Sequence, residues 1–353
     1  MRRLSFALEV IGSVSTALGP LEASDQAANR VQDAAAIECG FDNVKIRGSG
    51  RLSDSTQQVR AGAELARVFT PELILTGEGR FSQERRLPYD LRQWGGQFGV
   101  GWILSEADSI LATYRFDSYK VFNTGPNVDP AFLAVAGRNQ VAALGLAWRH
   151  DSRDDHFYPA NGLRTKLSGE LAIEPLGGDY DFGRLEADVA VYATPLRGRT
   201  ETGLDNVTLV EHFRTGWVEN FGDTDDVPFY ERYFVGGSAT VRGSRTRWLT
   251  PRGLEQQFVG GEILVVNNIE ARIPIFQKTF NRQLSAVAFF DAGRSYRRFS
   301  EIGDFGYGVG GGIRYVVQFW KLHGVVRADY GINLDSEGDN SKSRIHLTIG
   351  VPF

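Results

Sequence analysis

The side chains able to hold a metal or act as a general base are few and far apart. The five histidines, His150, His156, His212, His323 and His346, form no i,i+4 pair and no His-Glu-x-x-His run. Those spacings are the ones that set two imidazoles over a zinc ion. Cys39 is the single cysteine, so no internal disulfide or Cys-x-x-Cys site is available. There is no Gly-x-Ser-x-Gly elbow and no serine beside a plausible histidine, which removes the usual serine-hydrolase arrangement. His212 with Glu211 or Asp205 is the remaining acid–base candidate, and an inward-facing or rim histidine accounts for it without catalysis. Gly306, Gly308 and Gly311 fit Gly-x-Gly-x-x-Gly, the dinucleotide fingerprint, which needs a helix after it. The run after them, Ile-Arg-Tyr-Val-Val-Gln-Phe, reads as a strand, so the glycines mark a bend or a close packing point. These residues predict a non-enzyme with no catalytic residue, cofactor or metal.

The elements behind these residues repeat with a period of two. In the last ten residues, Ile345, Leu347, Ile349, Val351 and Phe353 fall on one face and Arg344, His346, Thr348 and Gly350 on the other. Leu163, Leu167 and Leu171 oppose Arg164, Lys166 and Glu170; Leu185, Val189 and Val191 oppose Arg184, Glu186 and Asp188. Ile269, Ala271 and Ile273 oppose Glu270 and Arg272, and Val326, Ala328 and Tyr330 oppose Arg327 and Asp329. Such alternation marks strands with one apolar and one polar face. About sixteen segments qualify: 4–12, 31–41, 45–54, 57–69, 73–85, 92–104, 108–120, 140–150, 162–173, 182–194, 205–218, 261–274, 284–293, 305–317, 322–333 and 343–353. The longest connection runs from about 219 to 260, and a loop of that length is usually functional or disordered.

A soluble sandwich also alternates. Two features favour a membrane barrel. No convincing helix interrupts the strands, and aromatics sit at their ends: Trp94, Trp102, Tyr114, Tyr119, Trp148, Tyr192, Trp217, Tyr315, Trp320 and Tyr330. Outer-membrane barrels carry such girdles at both interfaces. A mean hydropathy of −0.24 agrees with strands whose alternate residues face a watery interior. No run reaches the roughly 18 apolar residues of a membrane helix. The net charge of −4 lacks the basic excess of a nucleic-acid binder. The fold class expected is all-β: a transmembrane antiparallel β-barrel of about 16 strands with a long in-folded extracellular loop.

Residues 1–29 stand apart from the domain expected over 30–353, and two readings of them stay open. Arg2 and Arg3 before an apolar run, with Ser15-Thr16-Ala17 after it, suit a signal peptide. Glu9 inside that run favours a first barrel strand over 4–12.

The long loop contains Gly236-Gly237 and Val241-Arg242-Gly243. In these motifs the chain resembles the outer-membrane protein assembly factor superfamily, the BamA/TamA-type or bacterial surface antigen family, whose sixth extracellular loop carries Gly-Gly and then Val-Arg-Gly. The family places an aromatic next; here it is Ser244. Further matches are Asp151, Arg153, Asp154, Pro159 and Gly162 before a strand, an Asn-x-x-Gly-x-Gly-like turn near Asn43, Asn-Asn-Ile-Glu270, Phe-Phe-Asp291-Ala-Gly and the terminal Thr-Ile-Gly350-Val-Pro-Phe353. They run in family order over roughly 30 to 353. The resemblance implies that Arg242 pairs with Glu270 and Asp291 on the barrel wall, where charge-assisted and bidentate hydrogen bonds would anchor the loop.

It also implies a place and a task. The place is the bacterial outer membrane. The task is to insert or fold outer-membrane proteins through a weakly paired lateral seam between first and last strands, with Gly350 and Phe353 on the closing strand. The partners would be unfolded outer-membrane protein clients, the lipid bilayer, and periplasmic chaperones or accessory lipoproteins, with no nucleic acid and no cofactor. Family members carry periplasmic POTRA modules before the barrel, and this chain has no room for one, so it reads as a barrel-only member or a fragment. Two alternatives accompany this reading: a two-partner-type secretion pore plugged by the loop, and a structural surface-antigen barrel without a transport role.

Overall fold

A strand with one apolar and one polar face needs partners on both edges and different surroundings on each side. In the computed structural model this requirement produces one continuous sheet. The described residues are 34–350, apart from 42–43, 53–55, 68, 87–88, 157, 197–205, 276–283, 320–321 and 336–341. Contacts group Gln32–Phe353 as one unit.

Among the described residues the strands are β1 (Ala34–Phe41), β2 (Val44–Leu52), β3 (Thr56–Ala66), β4 (Leu73–Arg86), β5 (Tyr89–Ile103), β6 (Asp108–Phe122), β7 (Gly137–Asp151), β8 (Gly162–Ala172), β9 (Phe182–Ala193), β10 (Thr208–Asn220), β11 (Ile263–Pro274), β12 (Leu284–Tyr296), β13 (Gly306–Phe319), β14 (Leu322–Asn333) and β15 (Ser343–Gly350). Each strand pairs antiparallel with the next in sequence. The result is a large, mostly antiparallel all-β sheet of barrel type. Fifteen is odd, so β1 and β15 run the same way. Among the described residues they pair, parallel, at Ala35 with Ile349, and β1 also meets β14 at Glu38–His323 and Cys39–Leu322. The strand expected at 4–12 and the terminal Phe353 lie outside the described residues.

The two faces separate as the pleat demands. Leu146, Leu171, Leu185, Ile269, Ile313 and Ile345 are exposed on the outer face. Arg115, Asp117, His212, Glu270, Asp291 and Asp329 are buried on the inner one. The aromatic girdle needs correcting at two positions. Trp94, Trp102, Tyr114, Trp217, Tyr315 and Tyr330 are exposed, whereas Tyr119 and Tyr192 are buried. Parity is the reason: Tyr119 lies on the same face of β6 as Arg115 and Asp117, and Tyr192 shares a face of β9 with Arg184 and Asp188.

One short helix does interrupt the strands. It is α1, Pro130–Leu133, capped by the Asp129 carboxylate accepting from the Ala131 N–H. It sits between β6 and β7 and packs Phe132 against Tyr89 and Phe229. The long β10–β11 connection folds against the inner face, where Phe229, Val235, Val241 and Leu249 are buried.

Candidate functional site

The long connection reaches its tip through glycines that accept what other residues resist. Gly236, Gly237 and Gly243 have φ of +117°, +97° and +88°, the left-handed region that costs side-chain-bearing residues energy. The turn closes as the Gly237 N–H donates to the Val241 carbonyl at 3.2 Å and the Gly236 N–H to Thr240 Oγ1 at 2.8 Å. Val241 points into an apolar cluster with Val235, Leu249 and Val266. That turns Arg242 toward the wall.

Arg242 lies between Glu270 and Asp291. Its Nε donates to Asp291 Oδ2 at 2.7 Å and its Nη2 to Asp291 Oδ1 at 2.6 Å, a two-pronged fork. Its Nη1 donates to Glu270 Oε1 at 2.6 Å, and its backbone N–H to Asp291 Oδ2 at 3.0 Å. The guanidinium lies 3.5 Å over the Phe289 ring. Its side chain is 2% exposed, those of Glu270 and Asp291 1% and 0%. Burial alone would weaken the charge of Arg242, but Asp291 first, then Glu270 and Asp329, outweigh it and raise its pKa.

Alternation explains which wall residues take part. Glu270 on β11, Asp291 on β12, Arg314 on β13 and Asp329 on β14 all fall on the buried parity of their strands. Arg314 donates to Glu270 at 3.1 Å and also pairs with Asp329. Arg272 Nε donates to Glu270 Oε2 at 3.2 Å. The loop backbone is held as well: Arg214 donates to the Ala239 carbonyl at 2.7 Å and Asn268 to the Thr240 carbonyl at 2.6 Å.

Of the strand glycines read as a bend or close packing point, Gly308 lies under this tip, and Gly331 of β14 lies there with it. A Cβ at Gly308 would fall on the Arg242 carbonyl oxygen, and one at Gly331 would sit 2.5 Å from the Gly243 nitrogen. Beside them the Gly243 N–H donates to His346 Nε2 at 3.2 Å, so the tip touches the last strand. Ser244, where the family has an aromatic, is fully buried.

A profile of the Omp85 superfamily domain matches residues 43–353. The chain belongs to the Omp85 superfamily. It is 27% identical over 299 residues to an outer membrane protein assembly factor BamA of Nitratidesulfovibrio vulgaris, covering 81% of this chain and 35% of that protein. The chain thus spans about a third of that curated relative's length. Its fold is similar to BamA from Haemophilus ducreyi lacking POTRA domains 1–3, with TM-score 0.68, 14% identity, and 88% and 68% of the two chains covered. It is also similar to CdiB from Acinetobacter baumannii, with TM-score 0.58, 12% identity, and 88% and 57% covered. At these identities the likeness is one of fold. Outer-membrane localisation is typical of the Omp85 superfamily members to which the chain is similar.

The assembly-factor family is non-catalytic, and this Omp85 chain has no group of three metal-ligating side chains among the described residues. His212 faces inward, with Nε2 3.1 Å from Asp188 Oδ1, while Glu211 is exposed on the opposite face and Asp205 lies outside the described residues. One expectation is corrected: a serine does stand beside a histidine. His150 Nδ1 is 3.0 Å from Asp108 Oδ1 and its Nε2 3.1 Å from Ser152 Oγ. The order resembles a nucleophile relay. Its hydroxyl, however, binds the Leu163 backbone, donating to the carbonyl and accepting from the N–H at 3.3 Å. It serves as a clasp of the β7–β8 turn. There Arg153 forks onto Asp151 at 2.8 and 2.7 Å and Asp154 accepts the Ala160 and Asn161 N–H groups at 2.9 and 3.1 Å. Gly350 pairs with Val325 of β14 at the end of β15.

Sequence reasoning missed Glu231, eleven residues before Arg242 and on the three-residue 3-10 turn Phe229–Glu231. It accepts from Arg115 Nη1 at 3.0 Å, Arg184 Nη2 at 2.6 Å and the Tyr119 O–H at 2.8 Å. The available signal was an acid amid the aromatics of Phe-Tyr-Glu-Arg-Tyr-Phe. Burial would raise this carboxyl's pKa, but Arg115 and then Arg184 outweigh it and hold it at about 2, against 4.5 when free. A depressed value contributes stability fully above the unfolded pKa and loses it as pH falls through the folded one. The temperature at which the barrel loses its heat-modifiable gel mobility is therefore expected to drop from about pH 5 to about pH 3. Glu231→Gln should start lower at neutral pH and show a flatter slope; equal slopes would remove Glu231 from the explanation.

Proposed function

We propose that this chain is the barrel of an outer-membrane assembly factor, inserting and folding outer-membrane proteins through a lateral seam between its first and last strands. The observation that carries the reading is the poverty of that seam. Among the described residues β4 pairs with β5 along its whole length, whereas β1 meets β15 at Ala35–Ile349 and β14 at Glu38–His323 and Cys39–Leu322. Strand edges with unpaired N–H and C=O groups are templates for another strand. Parity adds a constraint: between two edges that run the same way, an incoming strand lies antiparallel to both. A client strand would take that place by β-augmentation. The exposed apolar outer face meets the bilayer, and the free energy comes from client folding. Arg242, Glu270 and Asp291 anchor the loop inside, while Gly236, Gly237, Val241 and Gly243 shape its tip. Its partners are unfolded outer-membrane protein clients and the lipid bilayer, with periplasmic chaperones or accessory lipoproteins delivering the clients.

Locking the seam tests this. In a Cys39→Ser background, Ala35→Cys with Ile349→Cys should form a disulfide that abolishes acceleration of client folding in liposomes, restored by reductant. Leu75→Cys with Val100→Cys, paired across β4 and β5, should leave it intact. Unchanged client folding with the seam oxidised would end the gating reading and favour a pore or a purely structural barrel.

A further inference from the structure

We propose that Glu231 is a second anchor of the long loop, opposite in charge to Arg242 and seated on a different arc of wall, so that the stem and the tip of the loop are held separately. The Arg242 socket is built by β11 to β14. The Glu231 socket is built by β6, β8 and β9. Arg115 of β6 also reaches Asp117 at 2.9 Å and Glu170 of β8 at 2.7 Å. Arg184 of β9 lies 3.6 Å from Glu170 and donates as well to the Glu231 carbonyl at 2.7 Å. Asp117 is shared further with Arg80 at 2.8 Å. In this cluster the wall places three arginines against two carboxylates, and the loop supplies the third.

An apolar bed closes water out of the socket. Tyr230 stacks on Tyr119 at 4.0 Å with an interplanar angle of 16°, and Phe229 sets its edge against Tyr89 and Phe132 at 4.9 and 4.7 Å. Glu231 itself is 5% exposed. In such a site an unpaired arginine is costly, so the carboxylate is held by need as well as by reach. The two sockets divide the loop. Glu231 holds the stem against β6–β9, and Arg242 holds the tip, which touches His346 on the last strand. Releasing the stem leaves the tip in place, and the reverse holds too.

This inference rests on the loop lying inside the barrel and needs no client, so it stands or falls apart from the seam experiment. The test uses the full chain in a Cys39→Ser background, with a spin label at Asp225→Cys for the stem or at Ala239→Cys for the tip, and single-channel conductance in planar bilayers. Glu231→Gln should raise conductance several-fold and mobilise the label at 225 while the label at 239 stays immobile. Arg242→Ala should mobilise 239 and spare 225. Glu231→Asp should recover most of the wild-type conductance. A folded Glu231→Gln protein with wild-type conductance and an immobile 225 label overturns the proposal. If that variant does not fold, Glu231→Gln with Arg184→Gln removes the stranded charge; an immobile 225 label there overturns it equally.

Discussion

Arg242→Ala is expected to destabilise the refolded barrel by about 3–5 kcal/mol, the cost of stripping one partner from a buried ion pair. An exposed pair contributes only about 0–1 kcal/mol, so exposure decides between the two figures. Arg242, Glu270 and Asp291 are 2%, 1% and 0% exposed. Without the guanidinium, Asp291 keeps Asn268 at 2.7 Å and Glu270 keeps Arg272 and Arg314, which softens the loss without cancelling it. Arg242→Lys should fall between, because an ammonium keeps the charge but cannot fork onto Asp291 and reach Glu270 together. Urea unfolding in micelles, followed by tryptophan fluorescence, measures both. A cost below about 1 kcal/mol for the alanine variant would place Arg242 among solvated loop arginines.

Gly243→Ala should cost about 2–5 kcal/mol, joining about 1–2 for a left-handed backbone to about 1–3 for overpacking. At φ +88° the new Cβ would lie 2.7 Å from the Ile332 carbonyl carbon and 2.8 Å from the Asn333 nitrogen. Both are backbone atoms of β14, which cannot swing aside as a side chain can. The tip must lift, and the hydrogen bond to His346 breaks with it. Gly177→Ala is the matched control: φ is +100° there, and nothing lies within 4 Å of the added Cβ. The difference between the two variants in the same unfolding assay isolates the close approach of tip to wall. If they cost the same, the glycine is there for its backbone alone.

Much of this architecture is legible in the sequence, because a period of two is a local property. Among the described residues each strand overlaps a segment found by alternation, and the polar parity of Glu270, Asp329 and His346 can be read without knowing any neighbour. The aromatics mislead at Tyr119 and Tyr192 when position along a strand is weighed above parity. Ser152 beside His150 goes unseen because the acid that completes the group, Asp108, comes from the adjacent strand through the Asp108–His150 register.

By itself, then, the sequence determined the strands, their inner and outer faces and the glycine-bearing loop. It could do so because pleat and turn conformation are set by residues next to one another in the chain. Only the tertiary structure decided that Arg242 joins Glu270 and Asp291, 28 and 49 residues away, that glycines on β13 and β14 make room for the tip, and that Glu231 enters a socket of arginines 47 and 116 residues distant. Those meetings depend on inter-strand register and on where a long loop comes to rest, and neither is written in any short stretch of chain.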